Sequence, residues 1–169
     1  TVETRLGVFA DFEPKIPESF QSARILFLGN IDPVLQLDVL DQVKNPDIVA
    51  CDTMNYWIEG SRNALLKLLE RVRILIINDE EARQLANNPN LSKEARWIQD
   101  RGPEIVVVKR VEHGATLFGD DWLCFVRGFP LEKVCDATGA GDAFAGGFMG
   151  CLAKAGSLSP GDLRRAMVY

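Results

Sequence analysis

The chain of 169 residues is long enough for one domain with a sizeable hydrophobic core. No apolar run approaches the length of a membrane span, and no segment follows the pattern of a signal peptide. The net charge of -5, without a basic stripe, argues against nucleic acid as a partner. A single histidine and four cysteines without C-x-x-C spacing disfavour a zinc site. These features predict a cytoplasmic protein that binds neither nucleic acid nor a membrane.

Both ends of the sequence look interrupted. It begins at Thr1 rather than at Met, and it reaches a strand-like run at Leu6–Ala10 within a few residues. It stops at Tyr169, partway through a new amphipathic helix. Between these ends, no linker is long enough to separate two domains. We therefore predict that residues 1–169 form a single, partial domain of a longer protein.

Apolar runs of strand length alternate with amphipathic helical segments along the chain. Predicted strands cover residues 4–11, 24–29, 47–52, 73–77, 104–109, 115–118 and 122–127, the last two as an antiparallel pair. Predicted helices cover residues 33–43, a segment that begins at Ser61, residues 79–86, 92–101 and 141–155, and a last segment that begins at Ser159. This alternation predicts an α/β fold with a mostly parallel sheet that helices cover on both faces.

Two details of the helices can be predicted from spacing. On the helix over 33–43, Val34, Leu37 and Leu40 recur at helical spacing and form the predicted core face. Ser61 is of a residue type that caps helices, and we expect its side chain to cap the helix that follows.

Polar residues end or follow four of the predicted strands: Asn30, Asp52, Asn78 and Lys109. Ligand sites in parallel sheets lie at the carboxyl ends of strands, so these positions are candidates for a binding site.

The most informative stretch is Asp136–Asp142, D-A-T-G-A-G-D, which leads directly into the helix predicted over 141–155. Residues 139–141 have little or no side chain, so their N–H groups can approach a ligand closely. Amides that converge at a helix N-terminus form an anion site. The carboxylate of Asp142 repels such an anion, a cost that is explained if it accepts a proton from the group that attacks the anion. The pattern indicates phosphoryl transfer, against the alternative of a plain helix cap by Thr138 or Asp142.

Two further segments leave alternatives open on their residues alone. Asn78 and Glu81 share one face of a first helical turn, where they are either a helix cap or part of a site. In the segment K-R-V-E-H-G from Lys109 to Gly114, Lys109 or Arg110 reaches a phosphate, or both are solvated charges.

The residues of the motif resemble the signature D-T-x-G-A-G-D of the ribokinase-like (PfkB) family of carbohydrate kinases. The resemblance implies a ribokinase-like three-layer α/β/α fold, incomplete in this chain. It implies that Asp142 is the catalytic base, and that the amides of Gly139, Ala140 and Gly141 form the anion hole. The resemblance extends to a second motif of the family, N-x-x-E, at Asn78 and Glu81. It implies that these two residues hold Mg²⁺ through water.

The same resemblance extends to the nucleotide loop and to a second cation. Lys109 and Gly114 stand where the family has a strand-end loop along the nucleotide. Val111 stands there in place of a usual glycine, and a β-branched residue does not easily adopt a positive φ, so we expect an altered turn. Asp136 and Thr138 match residues that bind a monovalent cation, K⁺, in some relatives; local turn hydrogen bonding explains them equally well.

The implied activity is transfer of the γ-phosphoryl group of ATP, with Mg²⁺, to a hydroxyl of a sugar or similar small alcohol. In the family the residues that select the sugar lie mainly in an N-terminal part that is missing here, so the fragment alone is expected to be inactive. Dimerisation through that part implies a homodimer of the full-length protein. A nucleoside kinase and a binding protein without turnover remain as alternatives. A dinucleotide-binding fold and a P-loop are excluded, because the third small residue and the G-x-x-x-x-G-K-[ST] pattern are missing.

Overall fold

A computed structural model describes Gly7 and residues 12–169 of the chain. The strand predicted over residues 4–11 lies outside these described residues, except for Gly7.

A six-stranded sheet forms the centre of the described structure, and its strands follow one another in chain order. The first four strands are parallel, and the last two are antiparallel to their neighbours. The strands are β1 (Ile25–Leu28), β2 (Ile48–Asp52), β3 (Ile74–Asn78), β4 (Ile105–Lys109), β5 (Ala115–Phe118) and β6 (Leu123–Val126). The predicted antiparallel pair at the end of the sheet is confirmed.

Helices connect the parallel strands and follow β6. They are α1 (Pro33–Gln42), α2 (Asn55–Gly60), α3 (Arg62–Leu69), α4 (Asp79–Ala86), α5 (Leu91–Gln99), α6 (Ala140–Ala155) and α7 (Pro160–Ala166). Among the described residues, none of the helices has the length and apolar content needed to cross a membrane.

Helices cover the sheet on both faces, which gives three layers. On one face, α1, α3, α4 and α5 bury residues such as Leu65 and Leu85 against alternate strand residues, including Leu75 and Val106. On the other face, α6 and α7 bury Phe148 and their other apolar residues against the remaining strand positions. Because β2, β3 and β4 are buried on both sides, their sequences are continuous apolar runs rather than alternating ones. The predicted α/β/α fold is confirmed.

The buried face of α1 differs from the prediction. Val34 is exposed, whereas Gln36 is buried at 1% exposure. The Gln36 amide donates to the carbonyls of Leu28 (3.0 Å), Gly29 (2.9 Å) and Asp52 (3.2 Å). These bonds satisfy backbone acceptors where β1 and β2 end, which explains why a polar residue occupies a core position.

The connection between β2 and β3 also differs from the prediction, because it holds two short helices instead of one. The segment of α2 was not predicted as a helix, and Ser61 lies between α2 and α3 without a side-chain capping bond. Helix α5 begins at Leu91, and its cap is Asn90, whose side chain accepts from the amide of Lys93. The other helix boundaries are close to those predicted, including the Ser159 cap of α7.

Candidate active site

Three neighbouring strands end in polar residues at the same edge of the sheet. Asp52, Asn78 and Lys109 are the last residues of β2, β3 and β4. Asn78 and Lys109 lie opposite each other in the register of β3 and β4, and Asp52 lies opposite Ile76 on β3. Asn30, which follows β1, accepts a hydrogen bond from the indole N–H of Trp57 at 3.1 Å and so fastens α2 to this edge.

Asn78 and Glu81 form a reciprocal cap at the start of α4. The Asn78 side chain accepts from the amide of Glu81 at 2.8 Å, and the Glu81 carboxylate accepts from the amide of Asn78 at 3.0 Å. Glu81 is buried, and burial raises the pKa of its carboxyl, although the bonds from Asn78 and the charge of Lys109 lower it. The capping interpretation is therefore confirmed, and the role toward Mg²⁺ stays a prediction. The two are compatible, because the cap uses one of the two carboxylate oxygens.

The motif residues form a turn that opens into α6. Gly139 is the N-cap of α6 with a φ of 78°, in the left-handed region that glycine adopts most easily. The amide of Ala140 donates to the carbonyl of Ala137 at 3.1 Å, so this amide serves the turn. Within residues 12–169, the amides of Gly139, Gly141 and Asp142 have no hydrogen-bond acceptor. These three amides, rather than that of Ala140, are available for an anion.

Asp136 and Thr138 hold the entry to this turn. An Asp136 side-chain oxygen accepts from the amide of Thr138 at 2.8 Å. Hydrogen bonds from the backbone and the side chain of Thr138 lower the pKa of Asp136. This local bonding accounts for both residues, and their role at a monovalent cation stays a prediction.

Asp142 lies in the first turn of α6 and is exposed. Its carboxylate is near enough to Asp52 to raise the pKa of that group by like-charge repulsion. The structure therefore brings Asp142 to the edge where β2, β3 and β4 end.

Asp52 is a site residue that sequence reasoning identifies only through its position at a strand end. Its side chain is 6% exposed, and one of its carboxylate oxygens has no hydrogen-bond partner among the described residues. The pKa of Asp52 is raised to about 7, mainly by burial; the charge of Lys109 lowers this pKa, and the charges of Asp142 and Glu81 raise it. The signal in the sequence was a carboxylate that ends an otherwise apolar strand.

The raised pKa of Asp52 predicts a pH dependence of stability. The unfolded chain releases this proton near pH 4 (about 3.9 for a free aspartate), whereas the folded chain holds it up to about pH 7. The free energy of unfolding contributed by Asp52 therefore falls as pH rises from about 4 to about 7, and is level above that. Asp52→Asn should remove this decrease in the free energy of unfolding. We expect the variant to be about as stable as wild type at about pH 4, and more stable by about 2 to 4 kcal/mol above about pH 7.

Urea unfolding of both proteins between pH 4 and 8 measures this difference. Asp121→Asn, at an exposed aspartate in the turn between β5 and β6, is the matched control and should leave the pH profile unchanged. A constant difference between Asp52→Asn and wild type at all pH values would contradict the prediction.

Lys109 points from the end of β4 toward the motif turn. A Cβ atom placed on Gly141 would lie 3.0 Å from the Lys109 ammonium nitrogen. The ammonium therefore lies next to the backbone of Gly141, beside the amides that have no acceptor.

The loop after Lys109 keeps a glycine-like turn in spite of Val111. Residues Val111–His113 form a short 3₁₀ turn, in which the Arg110 amide donates to the Gly114 carbonyl at 2.7 Å. Val111 has a φ of 45° and is 84% exposed. The surrounding hydrogen bonds hold the valine in a conformation that glycine adopts more easily. A turn altered relative to the family stays a prediction.

Val111→Gly should relieve this strain. The left-handed conformation is costly for a β-branched residue, and the exposed side chain buries little surface, so we expect the free energy of unfolding to rise by up to about 1 kcal/mol. Equilibrium denaturation in urea measures the change. Val34→Gly, at another exposed valine but inside α1, should lower stability by about 1 kcal/mol instead. A loss of stability in Val111→Gly would contradict the prediction.

An open pocket of about 360 Å³ lies beside this loop. It is lined by Arg110, Glu112, His113, Phe125, Arg127 and Gly128. A larger groove of about 560 Å³ lies at the opposite end of β4, next to Ile105 and Leu163, and contains none of the predicted site residues.

The residues of the site fit a divalent cation held through water rather than directly. Within the described part of the chain, no three His, Cys, Asp or Glu side chains are grouped closely enough to hold a metal ion. Asp52 and Glu81 are nevertheless buried carboxylates that form no ion pair with a described residue, and one oxygen of Asp52 has no partner at all. Mg²⁺ keeps several of its waters in proteins, so an acidic edge of this kind suits it.

Comparison with known proteins identifies relatives over most of the chain. The sequence profile described as "pfkB family carbohydrate kinase" matches residues 7–162. The chain is 31% identical over 144 residues to a cytidine kinase of Thermococcus kodakarensis, which covers 81% of this chain and 50% of that protein. It is 27% identical over 123 residues to an ATP-dependent 6-phosphofructokinase of Thermoanaerobacterium thermosaccharolyticum, which covers 69% of this chain and 38% of that protein.

The fold matches a solved structure as well. The crystal structure of a putative ribokinase II from E. coli in complex with ATP and Mg²⁺ superposes with a TM-score of 0.62 at 24% identity, over 79% of this chain and 43% of that chain. These matches confirm the predicted family and fold. The chain spans half or less of the length of the relatives described.

Proposed function

Because the chain belongs to the pfkB family of carbohydrate kinases, we propose that it is the nucleotide-binding and catalytic part of an ATP-dependent kinase that phosphorylates a hydroxyl of a small molecule. The observation that carries the proposal is the turn before α6. Three unpaired amides and a carboxylate lie together there, at the edge where three parallel strands end.

In the proposed reaction, the acceptor oxygen attacks the γ-phosphorus of ATP. A bond forms between that oxygen and phosphorus, the bond from phosphorus to the β–γ bridging oxygen breaks, and ADP leaves with the electron pair. Asp142 accepts the proton of the acceptor hydroxyl. The amides of Gly139, Gly141 and Asp142 donate to the phosphoryl oxygens, where negative charge must be stabilised in the transition state.

The nucleotide is held along the loop from Lys109 to Gly114, next to the open pocket beside that loop. Asn78 and Glu81, where β3 ends and α4 begins, would hold Mg²⁺ through water, and the ion would supply positive charge to the phosphate oxygens. A K⁺ site at Asp136 and Thr138 is a separate proposal, tested by the turnover of the full-length protein when K⁺ is replaced by tetramethylammonium.

The acceptor is a sugar or a nucleoside. A sugar is supported by the family description, and a nucleoside by the 31% identity to a cytidine kinase. The test is ADP release by the full-length protein that contains this chain, with Mg²⁺-ATP and a panel of sugars, sugar phosphates and nucleosides. Stimulation by one acceptor would establish the kinase and name its substrate class. Saturable ATP binding without stimulation by any acceptor would favour a binding protein instead.

A further inference from the structure

Lys109 is a half-buried cation without a partner. It ends β4, and within residues 12–169 its side chain forms neither an ion pair nor a hydrogen bond. A Cβ atom placed on Gly141 would lie 3.0 Å from its ammonium nitrogen, so the ammonium lies close against the backbone of Gly141. Long lysine side chains normally extend into water, and one directed at the backbone of a neighbouring helix requires an explanation.

The position of this ammonium is electrostatically unfavourable by itself. It lies at the N-terminus of α6, the positive end of the helix dipole, beside the amides of Gly141 and Asp142, which also lack acceptors. Several donors therefore lie close together here, and no described group accepts a hydrogen bond from them. Such a group of donors suits an anion.

The charge of the ammonium acts on two nearby carboxylates without forming an ion pair with either of them. Burial raises the pKa values of Asp52 and Glu81, and the charge of Lys109 lowers both. The lysine thus lies within electrostatic reach of Asp52 and Glu81 and next to the backbone of Gly141. It is therefore near both the carboxylates that suit a divalent cation and the amides that suit a phosphoryl group.

We propose that Lys109 is a catalytic residue whose ammonium contacts the phosphoryl group in transfer, and so distinguishes a nucleoside triphosphate from a diphosphate. The inference rests on the proposed kinase function. The ammonium of Lys109 binds the terminal phosphoryl group rather than the rest of the nucleotide. Its positive charge also offsets the repulsion between the phosphoryl group and the carboxylate of Asp142.

The experiment compares the affinities of the full-length protein for a non-hydrolysable ATP analogue and for ADP, both with Mg²⁺, by titration calorimetry. Lys109→Met has nearly the same length but no charge. We expect it to weaken binding of the ATP analogue by about 10-fold or more, as for a lost charge-assisted hydrogen bond, and to change ADP binding by less than about threefold. The kcat with ATP should fall about 10- to 100-fold. Lys93→Met, at an exposed lysine on α5, is the matched control and should change neither affinity.

A second variant covers the case in which Lys109→Met does not fold because Asp52 loses its neighbouring charge. The double variant Lys109→Met, Asp52→Asn removes the buried carboxyl group together with the ammonium, and we expect the same selective loss relative to Asp52→Asn alone. Equal losses for the ATP analogue and ADP, or no loss for either, would overturn the assignment of Lys109. If the wild-type protein bound neither nucleotide, the proposed function itself would fail. If the wild-type protein bound both and Lys109→Met distinguished the ATP analogue from ADP as well as wild type does, only the assignment of Lys109 would fail.

Discussion

Replacing Asp142 with asparagine should lower acceptor-stimulated ADP release by about 100-fold or more, the usual effect of removing a general base. The amide has the shape of the carboxylate but cannot take up the proton of the attacking hydroxyl. Binding of Mg²⁺-ATP should be unchanged or slightly tighter, because the substitution removes a negative charge next to the amides of Gly139 and Gly141. This combination of lost turnover and retained binding distinguishes a base from a residue that holds the nucleotide.

The measurement uses initial rates of the full-length protein with its stimulating acceptor, and ATP affinity by calorimetry. Asp121→Asn makes the same chemical change in the turn between β5 and β6, and should retain wild-type rates. Asp142 is exposed in the first turn of α6, so its substitution costs only about 0.3 to 1 kcal/mol of helix-dipole stabilisation. Near-normal turnover in Asp142→Asn would remove Asp142 from the mechanism.

The sheet and most helices could be predicted because their signals are local. A buried parallel strand is a continuous apolar run, as in β3, and a helix start is marked by a capping residue within three positions, as with Asn78 and Glu81. The turn before α6 is also local, because its small residues are consecutive in the chain. Each of these patterns can be recognised without knowing what packs against it.

The features that could not be predicted depend on partners distant in the sequence. Gln36 is buried because carbonyls at the ends of two strands accept its amide protons, and one of those carbonyls is 16 residues away. The pKa of Asp52 depends on the charges of Lys109 in β4, Glu81 in α4 and Asp142 in α6. All three residues are distant from Asp52 in the chain. Hydrophobic periodicity treats polar residues as exposed. It therefore fails to place Gln36 in the core, and it does not indicate that Asp52 is buried.

Val111 shows a related limit of reasoning from residue type. Its β-branch disfavours a positive φ, and from the sequence alone this predicts a changed loop. The fold overrides that preference, because hydrogen bonds on both sides of the valine fix the 3₁₀ turn. The strain is a property of the folded loop, and the residue that fixes the loop is Gly114.

Gly114→Ala should be the most destabilising single substitution that we predict. Gly114 has a φ of 92° and a ψ of -137°, a region that is essentially restricted to glycine. An added Cβ would overlap the carbonyl oxygen of Val126, and would lie 2.5 Å from the amide nitrogen of Gly128 and 2.7 Å from the carbonyl carbon of Arg127. All three atoms belong to the backbone at the end of β6 and just after it, and they cannot rotate away. Strain and overlap together should lower the free energy of unfolding by about 3 kcal/mol or more.

Urea unfolding measures this loss, and Gly150→Ala is the matched control. Gly150 lies inside α6 with no atom within 4 Å of an added Cβ, so the same chemical change should leave stability unchanged or raise it by up to about 1 kcal/mol. Gly114→Ala should also weaken ATP binding in the remaining folded protein, since the Gly114 carbonyl holds the amide of Arg110, next to Lys109. If the Gly114→Ala protein were as stable as wild type, the segment after β6 would have to move away from the loop. The loop would then not be the rigid support for Lys109 that the nucleotide site requires.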